Sequence, residues 1–263
     1  MIEIWSHGMA DENMPEAFLT ETCEIVKTHP WWIARARIAL ATLQRQSIRA
    51  PAAVADVGCG WGTNLNALEL AGYQAVGFDI SRQILERIDR PQRRLVEMDL
   101  NQPLPPDHLH FDALLSLDVL EHLDDDQGAL CRMAQLLRPG GTVIISVPAL
   151  PELYSEFDQI QGHRRRYLPD TLNKAFQDTG LKVQRIFWWG AWMIPILRRM
   201  RPPSTTAGRP AGPPKTYTDY LRLPPWPGPL IMRLAYRWEH TSALNGKLKT
   251  GTSLFAVATK NIT

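Results

Sequence analysis

The stretch VADVGCGWGTNL, from Val54 to Leu65, sets three glycines two apart, Gly58, Gly60 and Gly62, behind an acid, Asp56. A glycine turn between a strand and a helix brings backbone N–H groups and a helix N-terminus up to a ligand, and so suits a nucleotide. Position 63 is Thr, which breaks the GxGxxG pattern of dinucleotide loops, and no GK[ST] follows, which excludes a Walker A loop. Two more acids stand where short apolar runs end, Asp79 in VGFDIS and Asp99 in VEMDLNQ. A carboxylate at the first of these positions can accept hydrogen bonds from ribose hydroxyls; the plain alternative for each acid is a turn or helix cap. Farther along, His163 in QGHRRRYLPD offers an imidazole. Imidazoles titrate near neutral pH and suit proton transfer, although a loop-pinning histidine beside a solvated arginine run reads equally from the residues alone.

These groups need a scaffold, and from about residue 52 short apolar runs alternate with longer amphipathic ones. That rhythm predicts a mostly parallel sheet flanked by helices. Seven strands are expected, at AAVADVG, QAVGFDI, RLVEMDL, DALLSLD, TVIISVPA, LKVQRIFWW and SLFAVATK. Between them, TNLNALELAG places Leu65, Leu68 and Ala71 on one helical face, Ser81 caps RQILERIDR, a helix through GALCRMAQLL precedes the RPGG turn, and Pro169 opens PDTLNKAFQDTG. The organisation read from this is a helical lid over residues 1–50, a core over 51–189, a basic Pro- and Trp-rich insertion over 190–250 and a last core strand over 251–263. Within the insertion, RPPSTTAGRPAGPPK is expected to be a mobile linker.

Charge is unevenly spread. The net is only +2, but residues 182–263 carry 13 Lys and Arg against 2 acids, with five of the nine tryptophans. Either a solvated basic face or an anionic partner accounts for this: a phosphorylated substrate, an acidic carrier or a membrane surface. GPLIMRLAYRWEH reads as a basic amphipathic helix, either a lid on the sheet edge or a membrane contact. Nucleic acid is disfavoured, because no RNA-binding module accompanies the basic end. The longest apolar run, IFWWGAWMIPIL, is too short to span a bilayer. No signal peptide is read at the N-terminus, and the three cysteines, unpaired by spacing, point to a reduced, cytoplasmic setting. No ligand spacing suggests a metal.

The glycine loop, Asp79, Asp99, FDALLSLDVLEHLDD and LLRPGGTVIISVP, in that order, resemble the class I S-adenosylmethionine (SAM)-dependent methyltransferases over roughly residues 50–185. The resemblance implies an α/β Rossmann-like fold and SAM as cofactor. It implies that Asp56, Gly58, Cys59, Gly60 and Gly62 cradle the methionine part, that Asp79 holds the ribose and Ile80 packs on adenine. Asp99 would accept from the adenine amino group, Leu100 would supply a backbone N–H, and Leu117, Asp118 and His122 would line the floor.

The flanks extend the resemblance. HPWWIARARIAL, from His29 to Leu40, is similar to a segment that covers the cofactor in bacterial members serving glycan and small-molecule biosynthesis. An arginine there pairs with the SAM carboxylate; Arg35 and Arg37 are the candidates, and Arg37 is assigned. EFDQIQGHRRRYLPD is similar to a D…GH.RRY segment of the same subgroup and should border the substrate, since ligands bind beyond the carboxyl ends of parallel strands. His163 is the expected general base, with Tyr154, Asp158, Arg166 and Tyr167 as expected substrate contacts. The activity implied is methyl transfer to an O or N atom of a small-molecule acceptor. The alternatives are a carrier-bound or lipid-linked acceptor, C-methylation, or SAM binding without catalysis.

Overall fold

The computed structural model describes residues 2–8, 16–200 and 217–262. Its elements in chain order are β1 (Ile2–Ile4), α1 (Glu16–Thr28), α2 (Pro30–Arg45), β2 (Ala53–Val57), α3 (Thr63–Leu70), β3 (Gln74–Asp79), α4 (Arg82–Ile88), β4 (Arg94–Glu97) and β5 (Phe111–Leu117). There follow α5 (Asp126–Leu136), β6 (Leu137–Pro148), α6 (Glu156–Ile160), α7 (Pro169–Ala175), β7 (Leu181–Trp189), α8 (Ile194–Met200), α9 (Tyr217–Leu221), α10 (Gly228–Leu244) and β8 (Ser253–Lys260). The strands form one Rossmann-like sheet in the order β1-β4-β3-β2-β5-β6-β8-β7, parallel except for β8, which runs against both neighbours.

Seven of the strands are the expected ones. The eighth, β1, pairs in parallel with β4 at the sheet edge. Three residues carry no usable alternation, so only the neighbouring edge of β4 defines that strand.

Side chains alternate between the sheet faces with period two. On one face Ala55, Val57, Leu114, Val143 and Ile145 meet α5 and α7 through Leu130, Met133 and Leu172. On the other, Val54, Ala113, Leu115, Phe255 and Val257 meet Ile38 and Leu43 of α2, Leu68 of α3 and Tyr236 of α10. The region read as an N-terminal lid therefore divides: Ile2–Ile4 joins the sheet, and α2 is a layer of the core, with Ile38, Ala39 and Leu43 fully buried. The insertion likewise contributes α10 to that layer. The expected linker, RPPSTTAGRPAGPPK, lies outside the described residues. Among the described residues no helix is long and apolar enough to cross a membrane.

Chain order reverses direction across the sheet between β2 and β5. A crevice opens there beyond the strand carboxyl ends, the position where open α/β sheets bind ligands.

Candidate functional site

The turn from β2 into α3 is built by backbone that only glycine tolerates. Gly58 sits at φ +73°, and a Cβ there would lie 2.3 Å from Val119 Cγ2, so the loop after β5 packs directly on it. Gly60, at φ +46°, has nothing within 4 Å of the corresponding position, and it faces open space. Asp79, at the tip of β3, fixes this turn: Gly60 N–H donates to Oδ2 (2.8 Å) and Ser81 N–H to Oδ1 (3.0 Å). These two bonds orient the carboxylate at the tip of the strand, beside the cavity.

Beyond the turn lies a cavity of about 550 Å³, within the roughly 300–1,000 Å³ usual for small-molecule sites. Gly58, Cys59, Gly60, Asp79, Ile80, Leu117, His122, His163 and Arg166, all expected site residues, border it. A smaller hollow of about 60 Å³ adjoins it at Ile80, Asp99, Leu100 and Val119. Its floor is tied down: Asp99 Oδ1 accepts from Asn101 N–H (2.8 Å), and Asp99 N–H donates to Ser6 Oγ (2.9 Å).

Several expected contacts are corrected. Arg37 is exposed on α2, whereas Arg35, two residues earlier, is buried and reaches the cavity, pairing with Asp118 and donating to the Leu117 carbonyl. Residues two apart on a helix point to different faces, and the core-facing one is Arg35. Asp56 does not line the cavity. It is fully buried beneath the turn, where it accepts from Asn64 Nδ2 (3.2 Å), and burial raises its carboxyl to about 7. Gly62 lies behind the turn against Arg93 and Ile88.

Tyr154, Asp158 and Tyr167 are also away from the cavity and brace the loop that carries His163. The Tyr154 hydroxyl donates to the His163 carbonyl (2.7 Å), and that of Tyr167 to Asp126 Oδ2 (2.8 Å). Asp158, 0% exposed, holds Arg166 through both oxygens (2.8 and 3.1 Å) and accepts from His163 Nδ1 (3.1 Å). Burial alone would raise the Asp158 carboxyl, but His163 and Arg166 outweigh it and hold the group at about 2. The aspartate can only accept, so the proton sits on Nδ1 and the Nε2 lone pair is left for the cavity side.

Residues outside the expected site set complete the walls. Glu121 borders the cavity and is fully buried; burial, then the charge of Asp118, raises its carboxyl well above the usual range. His29 caps α2, accepting from Trp31 N–H (3.2 Å), and burial lowers it to about 4, so it is neutral. Trp32, Trp61, Phe157 and Leu221, from α2, the glycine turn, α6 and α9, pack together beside the cavity. The insertion adds Trp192, Met193 and Met232. Glu239 of α10 anchors that wall, its carboxylate accepting from the N–H groups of Gly190 (2.6 Å) and Ala191 (3.1 Å). The glycine turn and Asp79 carry polar recognition at one end, while apolar and aromatic side chains make most of the other.

A family model described as a methyltransferase domain matches residues 31–186, more than half of the chain. The chain belongs to the class I SAM-dependent methyltransferases. Its relatives include the ubiquinone biosynthesis O-methyltransferase of Methylococcus capsulatus, 30% identical over an alignment of 135 residues that covers 45% of this chain and 56% of that protein. The demethylmenaquinone methyltransferase of Tropheryma whipplei is 32% identical over 95 residues, 35% of this chain and 40% of that protein. This methyltransferase thus spans about half the length of the curated relatives it matches. Its fold is shared with a chain in the complex between the Haloferax volcanii Trm112 methyltransferase activator and a methyltransferase (19% identity, TM-score 0.60, covering 97% of this chain and 98% of that one).

The family's cofactor is SAM, and the site fits it. The turn leaves open space where a Cβ at Gly60 would stand, the Asp79 carboxylate borders the cavity at the strand tip, and the hollow at Ile80 and Asp99 continues from the cavity.

Proposed function

We propose that this methyltransferase acts on an oxygen of an apolar small molecule. Asp79 would hold the ribose hydroxyls of SAM, Gly58 to Gly60 the amino-acid part, Ile80 and Asp99 the adenine, and Arg35 a carboxylate. SAM supplies, when bound, an electrophilic methyl on a cationic sulfur. The protein's own part is then to seat an acceptor, keep water away and remove a proton. Orientation of this kind contributes roughly 7–11 kcal/mol when reacting atoms are held about 3 Å apart. The aromatic cluster of Trp32, Trp61 and Phe157, with Trp192 and Met193, would enclose the acceptor. Proton removal falls to the corner where His163, oriented by Asp158, faces the cavity.

The observation that carries this reading is that one cavity joins the glycine turn and Asp79 to His163 through largely apolar walls. An oxygen acceptor is favoured because its proton must leave, which an imidazole at this position serves. The name of the Methylococcus capsulatus relative, a ubiquinone biosynthesis O-methyltransferase, agrees with transfer to oxygen. Transfer of radiolabel from SAM to a panel of phenols, catechols and amines tests it; label on amines alone would refute the oxygen assignment.

A second reading, a lipid-linked acceptor met at a membrane surface, is favoured by α10. Leu230, Ile231, Leu234 and Trp238 are 40%, 57%, 57% and 81% exposed, and Trp226 just before the helix is 79% exposed. Arg233 and Arg237 lie among them. Such a basic, apolar face suits an anionic bilayer, and Met232 of the same helix borders the cavity.

A further inference from the structure

Resting on the methyl-transfer reading, in which the acceptor corner must draw a proton off an oxygen, we propose that Glu121, His122 and His163 bind a divalent cation such as Zn²⁺, with the acceptor oxygen as a further ligand. The ligand atoms of the three side chains all lie within 4.8 Å of one another. His163 Nε2 and Glu121 Oε1 are 3.9 Å apart, so an ion between them meets both at the roughly 2.0–2.2 Å of zinc bonds. The two imidazole rings meet edge to face, with centroids 4.8 Å apart.

Glu121 is the second observation. It is 0% exposed, and neither carboxylate oxygen accepts a hydrogen bond from a described residue. A carboxylate out of water is costly unless something neutralises or hydrogen-bonds it. The neighbouring guanidiniums are already engaged: Arg35 pairs with Asp118, and Arg166 with Asp158. With both pairs closed, the Glu121 carboxyl is left beside the cavity with no guanidinium and no hydrogen-bond donor of its own among the described residues, and a cation would supply the missing partner. Asp158 behind His163 Nδ1 completes the pattern by which a carboxylate orients a metal-binding imidazole through its far nitrogen.

Two imidazoles and one carboxylate make a borderline donor set suited to Zn²⁺. Three protein ligands leave a coordination position on the cavity side, as in catalytic rather than structural zinc sites. A hydroxyl oxygen whose lone pair sits on the cation becomes more acidic, and its proton passes to water; the cation keeps its oxidation state. His163 Nε2 then serves as a ligand instead of taking the proton itself.

Chelator-dialysed full-length protein, titrated with Zn²⁺ by calorimetry and with Co²⁺ by visible absorption, tests this. S-adenosylhomocysteine (SAH) is titrated into the same samples. The expected result is one Zn²⁺ per chain at micromolar or tighter affinity, visible Co²⁺ bands that Zn²⁺ displaces, and at least a tenfold loss in each of Glu121→Gln and His163→Gln with the SAH heat retained. A variant that loses the SAH heat is set aside as misfolded, and His122→Gln takes its place. Absence of Zn²⁺ binding by the wild-type protein overturns the proposal, and so does binding that all folded variants keep. Zn²⁺ binding in a wild-type protein that gives no heat with SAH would uphold the cation site and sink the methyl-transfer reading.

Discussion

Asp56 lies directly beneath the glycine turn, and its protonation should make the fold measurably pH-sensitive. Burial raises its carboxyl from 3.8 to about 7, the Asn64 hydrogen bond opposing that only in part, and Oδ2 has no partner among the described residues. A folded-state value above the unfolded one means that the native protein holds this proton more tightly than the unfolded chain does. The associated stability is fully present below about pH 3.8 and is lost as pH rises through about 7. At about 1.36 kcal/mol per pH unit, the shift amounts to about 4 kcal/mol, of which about 2–3 kcal/mol falls between pH 5 and pH 8. Asp56→Asn removes the titration while keeping the shape. Its second amide hydrogen would point where Oδ2 now lies, an unsatisfied donor costing about 1–3 kcal/mol at any pH. The informative quantity is therefore the difference between pH values. Urea unfolding followed by tryptophan fluorescence at pH 5 and pH 8, without ligand, should show wild type losing about 2–3 kcal/mol more than Asp56→Asn over that interval. Equal pH slopes for the two proteins would mean that Asp56 is ionised in the fold, and the burial argument would be wrong.

Asp79→Ala removes the acceptor for two turn amides and for the ribose, at about 1.5–3 kcal/mol per charged hydrogen bond. Calorimetry should show SAH binding weakened at least about a hundredfold, and a change within threefold would disprove the ribose assignment. His163→Ala should slow turnover by about 10²–10⁴-fold with SAH affinity nearly intact, whether the imidazole takes the proton or holds a cation; wild-type turnover would remove it from the chemistry. Replacing Leu230, Ile231, Leu234 and Trp238 together by Gln should abolish sedimentation with anionic vesicles while the thermal transition stays in place, because these side chains are exposed. Wild-type protein that does not sediment with such vesicles would end the membrane-surface reading. Gly58→Ala should destabilise the fold, since its Cβ would overlap Val119 at a φ costly for any L-residue; an unchanged melting temperature would show that the β5 loop simply moves.

The sequence by itself determined the scaffold and the class of cofactor. Seven strands, the Ser81 cap and the Gly58–Gly62 turn are local features, set by alternation, side-chain chemistry and backbone freedom within a few residues of one another. The places of Asp79 and Asp99 at strand ends were legible for the same reason, because each stands at the end of a strand that announces itself. Tertiary structure alone decided the rest. Arg35 and Arg37 are alike in a string of letters, and only the packing of α2 on the sheet turns one inward. Asp158, Tyr154 and Tyr167 sit in the same motif as His163, yet they spend their polar atoms holding it, because the loop folds back on itself between β6 and α7. Glu121 and His122 are 41 or more residues from His163, a separation no ligand motif encodes, and the parallel crossover from β5 to β6 is what brings them together. Short-range chemistry is written along the chain, whereas which polar groups end up facing the same cavity depends on burial and on contacts between distant segments.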